Sequence, residues 1–469
     1  MNDLLPNFVE LMHAFSPREY GETKLLDSDD VSTPFTSLRQ EDWVEALSLW
    51  NQHGRGLIGG MRPRSCPTCG HAGNRALFES YDGYPYVECT SCGCWYVPLV
   101  VTAEVFEQFF SSCSEAAEVS HRVFQNRMTD LSRNLNLGRI GEYLDSLVPL
   151  LQGDGGFRYL DMGCGLGYSL EAGASRGLDA TGVESSKECI DLGRAKGLNI
   201  YSHEEMNWSS ESFDLISFWE SLEHMEDPAK VLTECASLLR PGGLLAFTVP
   251  NLNSPLVRVQ RQDCSFIHGG YDTPGHVNMF SGTHLAHLCG RTGFELLALD
   301  GQYGLNLGEL VSYFVGKHHG AYDMRKGQHV QAEMDQSVTA FLRSIGPLYS
   351  LFERASLTAP ILFGLACRKA DAQRMRESVQ KFSTQRQAEI NKQLAGMILQ
   401  PEELLSLPKQ LEELERRLAA SQAELRDTQE AHAVSLGELS EARAILGWCP
   451  SFVQGAIRYL QGRFSKTRD

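Results

Sequence analysis

The 469-residue chain is 42% hydrophobic and 22% charged, and 59 Asp and Glu against 42 Lys and Arg leave a formal charge of −17. That acidity argues against a broad nucleic-acid or anionic-membrane surface. No run reaches the roughly 18 apolar residues of a spanning helix, and MNDLLPNFVELMHAF at the N-terminus lacks the basic-then-apolar order of a secretory signal. The expectation is a cytoplasmic protein of several domains.

Residues 1–60 are an extension to which no function is assigned. One amphipathic stretch, Asp42 to Gln52, places Trp43, Ala46, Leu47 and Trp50 at helical spacing. Residues 61–100 carry four of the thirteen cysteines as Cys66-x2-Cys69 and Cys89-x2-Cys92, nineteen residues apart, with a strand-like aromatic stretch between them. Each Cys-x2-Cys turn brings two thiolates to one side of an ion, so the pattern predicts a structural zinc ribbon with Cys66, Cys69, Cys89 and Cys92 as ligands. A redox pair or unrelated core cysteines are the plainer alternatives. Four thiolates leave no open position for catalysis, and Cys94 is a candidate substitute ligand.

Residues 101–150 read as helical, with Ile140, Tyr143, Leu144, Leu147, Val148 and Leu151 on one face. From Phe157 short apolar strands alternate with helices. Strands are expected at 157–162, 179–184, 198–201, 213–218, 244–249, 294–300 and 362–368. Helices are expected near 168–175, 187–196, 228–239 and 282–289. The alternation predicts an α/β fold, a doubly wound Rossmann-like sheet of seven strands spanning the domain 101–370.

The first of these strands runs into Asp161-Met-Gly163-Cys-Gly165-Leu-Gly167, where glycines let the backbone approach a ligand and open the next helix. Glu184 ends the second strand, where a carboxylate can hold the hydroxyls of a ribose or stand simply as a solvated acid. Loop and acid together indicate a nucleoside cofactor without saying which.

Further on come FDLISFWESLEHMEDP, LLRPGG, FTVPN and HVNMFSGTHLAHLCGRTGF. With DMGCGLG and TGVES, these motifs resemble the class I S-adenosylmethionine-dependent methyltransferases, in particular the branch of ubiquinone-type and sugar methyltransferases. The resemblance covers about 150 residues in the family's order and spacing. It implies that Asp161, Gly163, Gly165 and Gly167 form the loop at the methionine end of S-adenosylmethionine. It further implies that Glu184 holds the ribose, Ser185 lies beside the adenine, and Trp219 and Glu220 flank the sulfonium. Many members carry an Asp on the loop after the third strand, and Ser202 occupies that position here.

A hydroxyl acceptor needs a positioned base as well as orientation. His276, in Pro-Gly-His-Val-Asn, and His224, in the family's Glu-His-x-x-Asp-Pro signature, are the candidates, with Glu220 or Glu223 as partner. A positioning role for His224 and loop packing for His276 stay open beside the catalytic one. His268, Tyr271 and Asp272 are neighbours that would share the pocket.

An insertion over 301–360, helical near 309–318 and 332–355, is expected to be a lid over the acceptor. Its His318-His319 pair reads as solvated. Over 371–447, Leu411, Leu418, Leu425, His432, Leu439 and Leu446 recur every seven residues, which predicts a coiled coil making homo-oligomers, against a solvated single helix. Pro401 and Pro408 precede it, and Gly447 and Pro450 end it. The tail 448–469 puts Phe452, Val453, Ala456, Ile457, Leu460 and Phe464 on one face, with Arg458, Arg463, Lys466 and Arg468 as its charge. It reads as a partner or peripheral membrane contact at the inner face of the membrane, or as a helix packed on its own protein.

A zinc ribbon ahead of this branch resembles enzymes of bacterial sugar and polysaccharide modification, and the coiled-coil tail resembles in layout those that cap surface polysaccharides. The favoured reading is O-methylation of a saccharide in polysaccharide biosynthesis. An RNA methyltransferase is the alternative, opposed by 10 Lys and Arg against 20 Asp and Glu over residues 151–300. A sugar C-methyltransferase and a non-catalytic coiled-coil scaffold are the others.

Overall fold

The computed structural model describes residues 40–100, 103–153, 155–206, 208, 212–261, 276–302, 353 and 356–397. Described residues up to 387 belong to one compact unit, and 388–397 to a second. The expected lid helices, the histidine pair 318–319, the coiled coil, the basic tail, most of the N-terminal extension and residues 268, 271 and 272 lie outside the described residues.

The chain enters through α1 (Gln40–Leu49) and reaches the ribbon, which contains β1 (Arg62–Pro63), β2 (Asn74–Glu79), β3 (Pro85–Cys89), β4 (Trp95–Tyr96) and β5 (Leu99–Val100). Helices α2 (Ala103–Ser112), α3 (Ser114–Arg127) and α4 (Asp130–Leu147) follow. The amphipathic face read over 140–151 is the buried one: Ile140, Tyr143, Leu144 and Leu147 pack on the central sheet.

That sheet contains β6 (Arg158–Met162), β7 (Asp179–Val183), β8 (Asn199–Tyr201), β9 (Phe213–Trp219) and β10 (Leu239–Pro250). Between them run α5 (Tyr168–Ala174), α6 (Lys187–Ala195) and α7 (Pro228–Leu238), and α8 (Pro255–Gln260) follows β10. The two-residue β11 (Asn278–Met279) and α9 (Gly282–Arg291) lead to β12 (Phe294–Gln302), β13 (Ile361–Arg368) and α10 (Ala372–Met397). All seven expected strands are present in one sheet, in the order β12-β13-β10-β9-β6-β7-β8. Strands β6 to β10 run parallel, and β13 is antiparallel to both β10 and β12.

Both faces of the sheet are covered, which is why β9 and β10 read as continuous apolar runs rather than alternating ones. Phe218, Phe247, Phe294 and Leu362 fill one face, while Tyr159, Leu215, Ala246 and Phe363 fill the other. Gly364 on β13 leaves room for the Phe247 ring, which a Cβ there would meet at 2.2 Å. Truncating such a buried ring costs about 3–5 kcal/mol.

Strand order reverses between β6 and β9: the chain winds outward through β7 and β8, then returns to add β9 and β10 on the other side. A crevice therefore opens at the carboxyl ends of β6 and β9, where open α/β sheets bind their ligands. The ribbon joins the larger domain through a shared sheet. Its strands β2, β3 and β4 are extended by β11, giving the order β11-β4-β3-β2, with Asn278 opposite Tyr96 and Met279 opposite Trp95.

Among the described residues no helix is long and apolar enough to cross a membrane.

Candidate functional site

The glycine loop leaves β6 at the switch point. Gly163 (φ +81°) and Gly165 (φ +52°) are left-handed, and Gly167 (φ +78°) caps α5. Two N–H groups of the loop, from Gly163 and Cys164, donate to the Val183 carbonyl at 2.8 and 3.1 Å and fasten it to the end of β7. A Cβ at Gly163 would stand 2.7 Å from that of Ser221, but one at Gly165 would meet nothing within 4 Å. The loop is thus closely backed at Gly163 and borders open space at Gly165.

Glu184 closes the other wall. Its Oε2 accepts the Gly165 N–H at 2.8 Å, and its Oε1 accepts the N–H groups of Ser185 and Ser186 at 2.8 and 2.9 Å. Those bonds aim the carboxylate without consuming it, since Oε2 takes one protein donor and keeps acceptor capacity for a ligand hydroxyl. Ser185 turns its hydroxyl back to Glu184 at 3.2 Å. Ser202 donates its hydroxyl to Glu204 at 2.8 Å and accepts the Glu205 N–H at 3.3 Å, binding its own turn.

Asp161 lies beneath the loop, 2% exposed. Its carboxylate accepts the hydroxyls of Ser169 and Ser217, the latter at 2.5 Å. Burial pushes its pKa up to about 6 against the opposing pull of those two bonds. The network continues from Ser217 to Tyr159 Oη at 2.8 Å, which accepts Trp219 Nε1 at 2.9 Å. Asp161 therefore braces the loop from below, and its backbone continues into it. Trp219 is a packed wall, stacked on Tyr143 with centroids 5.1 Å apart. The spacing of the glycines carries no sign of these serine and tyrosine partners.

Beyond Trp219 the backbone takes an unusual conformation at Glu220, whose φ of +54° is rare outside glycine. Its N–H donates to the carbonyl of Thr248 at 3.1 Å, and its carboxylate pairs with Arg139 of α4. The histidines have a different acid beside them. His224 and His276 meet edge to face at 4.9 Å, and Glu223 Oε1 lies 3.8 Å from His276 Nε2. Glu223 is fully buried, so its pKa is driven well above the usual carboxylate range. Ligand atoms of Glu223, His224 and His276 all fall within 4.8 Å of one another, close enough to share a proton or a cation. The structure thus unites two of the three expected catalytic residues and gives Glu220 a partner, Arg139, that sequence spacing could not indicate.

The ribbon cysteines also meet. The Sγ atoms of Cys66 and Cys92 are 3.6 Å apart, those of Cys69 and Cys89 are 3.5 Å apart, and all four lie within 4.8 Å. Zinc–thiolate bonds of about 2.3 Å in a tetrahedron require sulfurs roughly 3.8 Å apart, so the donor set fits that ion. The two turns match: Gly70 N–H donates to Cys66 O at 2.8 Å and Gly93 N–H to Cys89 O at 2.9 Å, both glycines left-handed. Cys94 lies outside the four, accepting the Thr68 hydroxyl at 3.3 Å and facing the Met279 carbonyl at 3.5 Å.

Several known proteins are similar to part of this chain. Residues 130–299 match the family model described as a methyltransferase domain. The chain is 37% identical over 119 residues to a ubiquinone biosynthesis O-methyltransferase of Alkalilimnicola ehrlichii, covering 24% of this chain and 48% of that one. It is 38% identical over 120 residues to the enzyme of that name from Coxiella burnetii, covering 24% and 50%. The chain thus spans about half the length of these relatives. Solved structures with similarity include an S-adenosylmethionine-dependent methyltransferase of Mesorhizobium loti, at 17% identity and a TM-score of 0.32 over 50% of this chain and 100% of that one. Another, from Archaeoglobus fulgidus, has 18% identity and a TM-score of 0.34 over 51% and 95%. The switch-point crevice, the glycine loop and the matched family model lead to one assignment: the chain carries a class I S-adenosylmethionine-dependent methyltransferase domain.

Proposed function

We propose that the protein transfers a methyl group to a hydroxyl oxygen of a saccharide or glycan-biosynthesis intermediate. The observation that carries the cofactor half is the pairing of an open Gly165 with an anchored Glu184 beside it, at the carboxyl ends of β6 and β7. Gly163, Gly165 and Glu184 would hold S-adenosylmethionine, and Ser185 and Ser202 are the groups nearest in sequence for its adenine. When bound, that cofactor supplies a sulfonium-activated methyl, so the protein's task is chiefly to orient the acceptor and exclude water.

The histidine pair speaks for oxygen as the methylated atom. An alcohol is a poor nucleophile until its proton is taken, and an imidazole beside a buried carboxyl group is suited to take it at neutral pH. His276 is the proposed base, and His224, in edge contact with it, its partner. Buried Glu223, favouring its neutral form, would meet the imidazole as a neighbour without a full charge. The relatives' names also indicate O-methylation, and an acceptor of the ubiquinone-biosynthesis kind is the second reading they favour. The saccharide rests on the layout of ribbon and methyltransferase domain.

We further propose that Cys66, Cys69, Cys89 and Cys92 hold a structural zinc and that the C-terminal segment makes homo-oligomers. Calorimetry with S-adenosylmethionine and S-adenosylhomocysteine tests the cofactor: binding of neither at high micromolar concentration refutes it. A labelled-methyl screen against sugar nucleotides, lipid-linked glycans, small phenols and RNA tests the acceptor, and label confined to RNA would overturn the saccharide reading.

A further inference from the structure

Arg64 stands two residues before the first zinc-type cysteine, and its side chain leaves the ribbon. Its Nε donates to the Val97 carbonyl at 2.8 Å, within the ribbon. Its Nη1 donates to the Glu226 carbonyl at 2.7 Å, in the turn just after His224. Its Nη2 donates to the Val277 carbonyl and to Asn278 Oδ1, both at 2.9 Å, in the segment just after His276. The planar fork thus makes four hydrogen bonds to three chain segments, one more than the three donors of an ammonium could make.

The acceptors are themselves tied together. Asn278 is fully buried, and its Nδ2 donates to the carbonyls of Glu223 and Met225 at 3.1 and 2.7 Å. Val97 N–H donates to the Val277 carbonyl at 3.0 Å, and Tyr86 Oη donates to the His276 carbonyl at 3.2 Å. His276 and the 223–226 turn therefore hang on a polar lattice whose central donor belongs to the ribbon. Asn278 fixes one segment to the other, and Arg64 fixes both to Val97, just past β4.

We propose that Arg64 is a positioning residue, through which the ribbon holds His276 and the Glu223-His224 turn in register with each other. Its catalytic meaning rests on the methyl-transfer reading, but the positioning itself does not. The ribbon is then part of the acceptor side of the site rather than a separate appendage.

The test uses the full-length protein carrying Arg64→Lys or Arg64→Ala, with three measurements. Amide hydrogen exchange over 276–280 and 223–226 should rise about tenfold in both variants while β6 and β7 stay protected. The NMR titration midpoint of the His276 imidazole should move, which a loss of stability alone would not produce. Zinc content and S-adenosylhomocysteine affinity should stay within about twofold of the parent. Arg64→Lys keeps the charge and three donors, so it is the milder variant and remains informative should Arg64→Ala fail to fold. Unchanged exchange at 276–280 together with an unmoved His276 titration overturns the proposal, and so does an increase shared equally by the central sheet. If the parent does not bind S-adenosylhomocysteine but the variants loosen 276–280, the methyl-transfer reading falls and the role of Arg64 stands.

Discussion

The side of the crevice proposed for the cofactor draws most of its groups from one stretch, Asp161 to Ser202, in which each strand end is fastened to the next by backbone N–H groups. The histidine side is assembled from residues 64–97, 220–226 and 276–284, and Arg64 and Asn278 stand 214 positions apart. The first is a local structure that folding of the βαβ units completes. The second exists only after the ribbon has docked and β11 has paired with β4. A metal-held ribbon would therefore report on histidine geometry and leave the glycine loop untouched.

Stripping the proposed zinc with a strong chelator is the largest perturbation of that contrast, because a structural zinc contributes roughly 10 kcal/mol or more. Hydrogen exchange should rise together over 62–100 and 276–279, while S-adenosylhomocysteine affinity by calorimetry stays within about threefold. Loss of cofactor affinity in step with the metal would break the division into two sides.

A smaller effect is expected from Asp161, on the cofactor side alone. Burial raises its folded-state pKa to about 6, above the ordinary aspartate range, so the folded protein binds this proton more tightly than the unfolded chain does. The stability it contributes is full below pH of about 4 and is lost as pH rises through about 6, on the order of 2–3 kcal/mol. Urea unfolding of the unliganded protein at pH 4, 5, 6 and 7 should show this slope, and Asp161→Asn should remove it. An equal slope in the variant assigns the pH dependence elsewhere.

The smallest change in stability sharpens the comparison within the loop itself. Gly165→Ala places a methyl in open space, so its cost is the left-handed backbone alone, about 1 kcal/mol. It should nonetheless weaken S-adenosylhomocysteine binding about tenfold by calorimetry, since the space it enters is the one proposed for the cofactor. Gly163→Ala drives its Cβ to within 2.7 Å of that of Ser221 and should lower the melting temperature more. Equal binding by the parent and Gly165→Ala would move the cofactor away from this loop.

The central sheet was legible because burial on both faces writes continuous apolar runs, and because turns and helix caps depend on near neighbours. Ser186 and Asp227 cap α6 and α7, bonding Cys189 and Lys230 three residues on. The roles of single side chains were less legible. Asp161 appears in a motif, but its burial beneath the loop depends on Ser169 and Ser217 arriving from two different elements. Glu220 and Glu223 look alike in Trp-Glu-Ser-Leu-Glu-His; one meets Arg139 at the mouth of β9, and the other turns into the core beside His276.

The sequence by itself determined the two cysteine knuckles, the glycine loop, the acid after the second strand and the alternation that builds the doubly wound sheet. Each is a pattern of spacing, and spacing is set by the local geometry of turns, strands and helices. Only the tertiary structure decided that the ribbon's sheet is extended by residues after His276, that Arg64 reaches Glu226, Val277 and Asn278, and that Glu223 is the histidines' buried neighbour. Those contacts depend on which strand edges and donors remain unpaired once the cores have packed, and an unpaired edge leaves no mark in the spacing of residues along the chain.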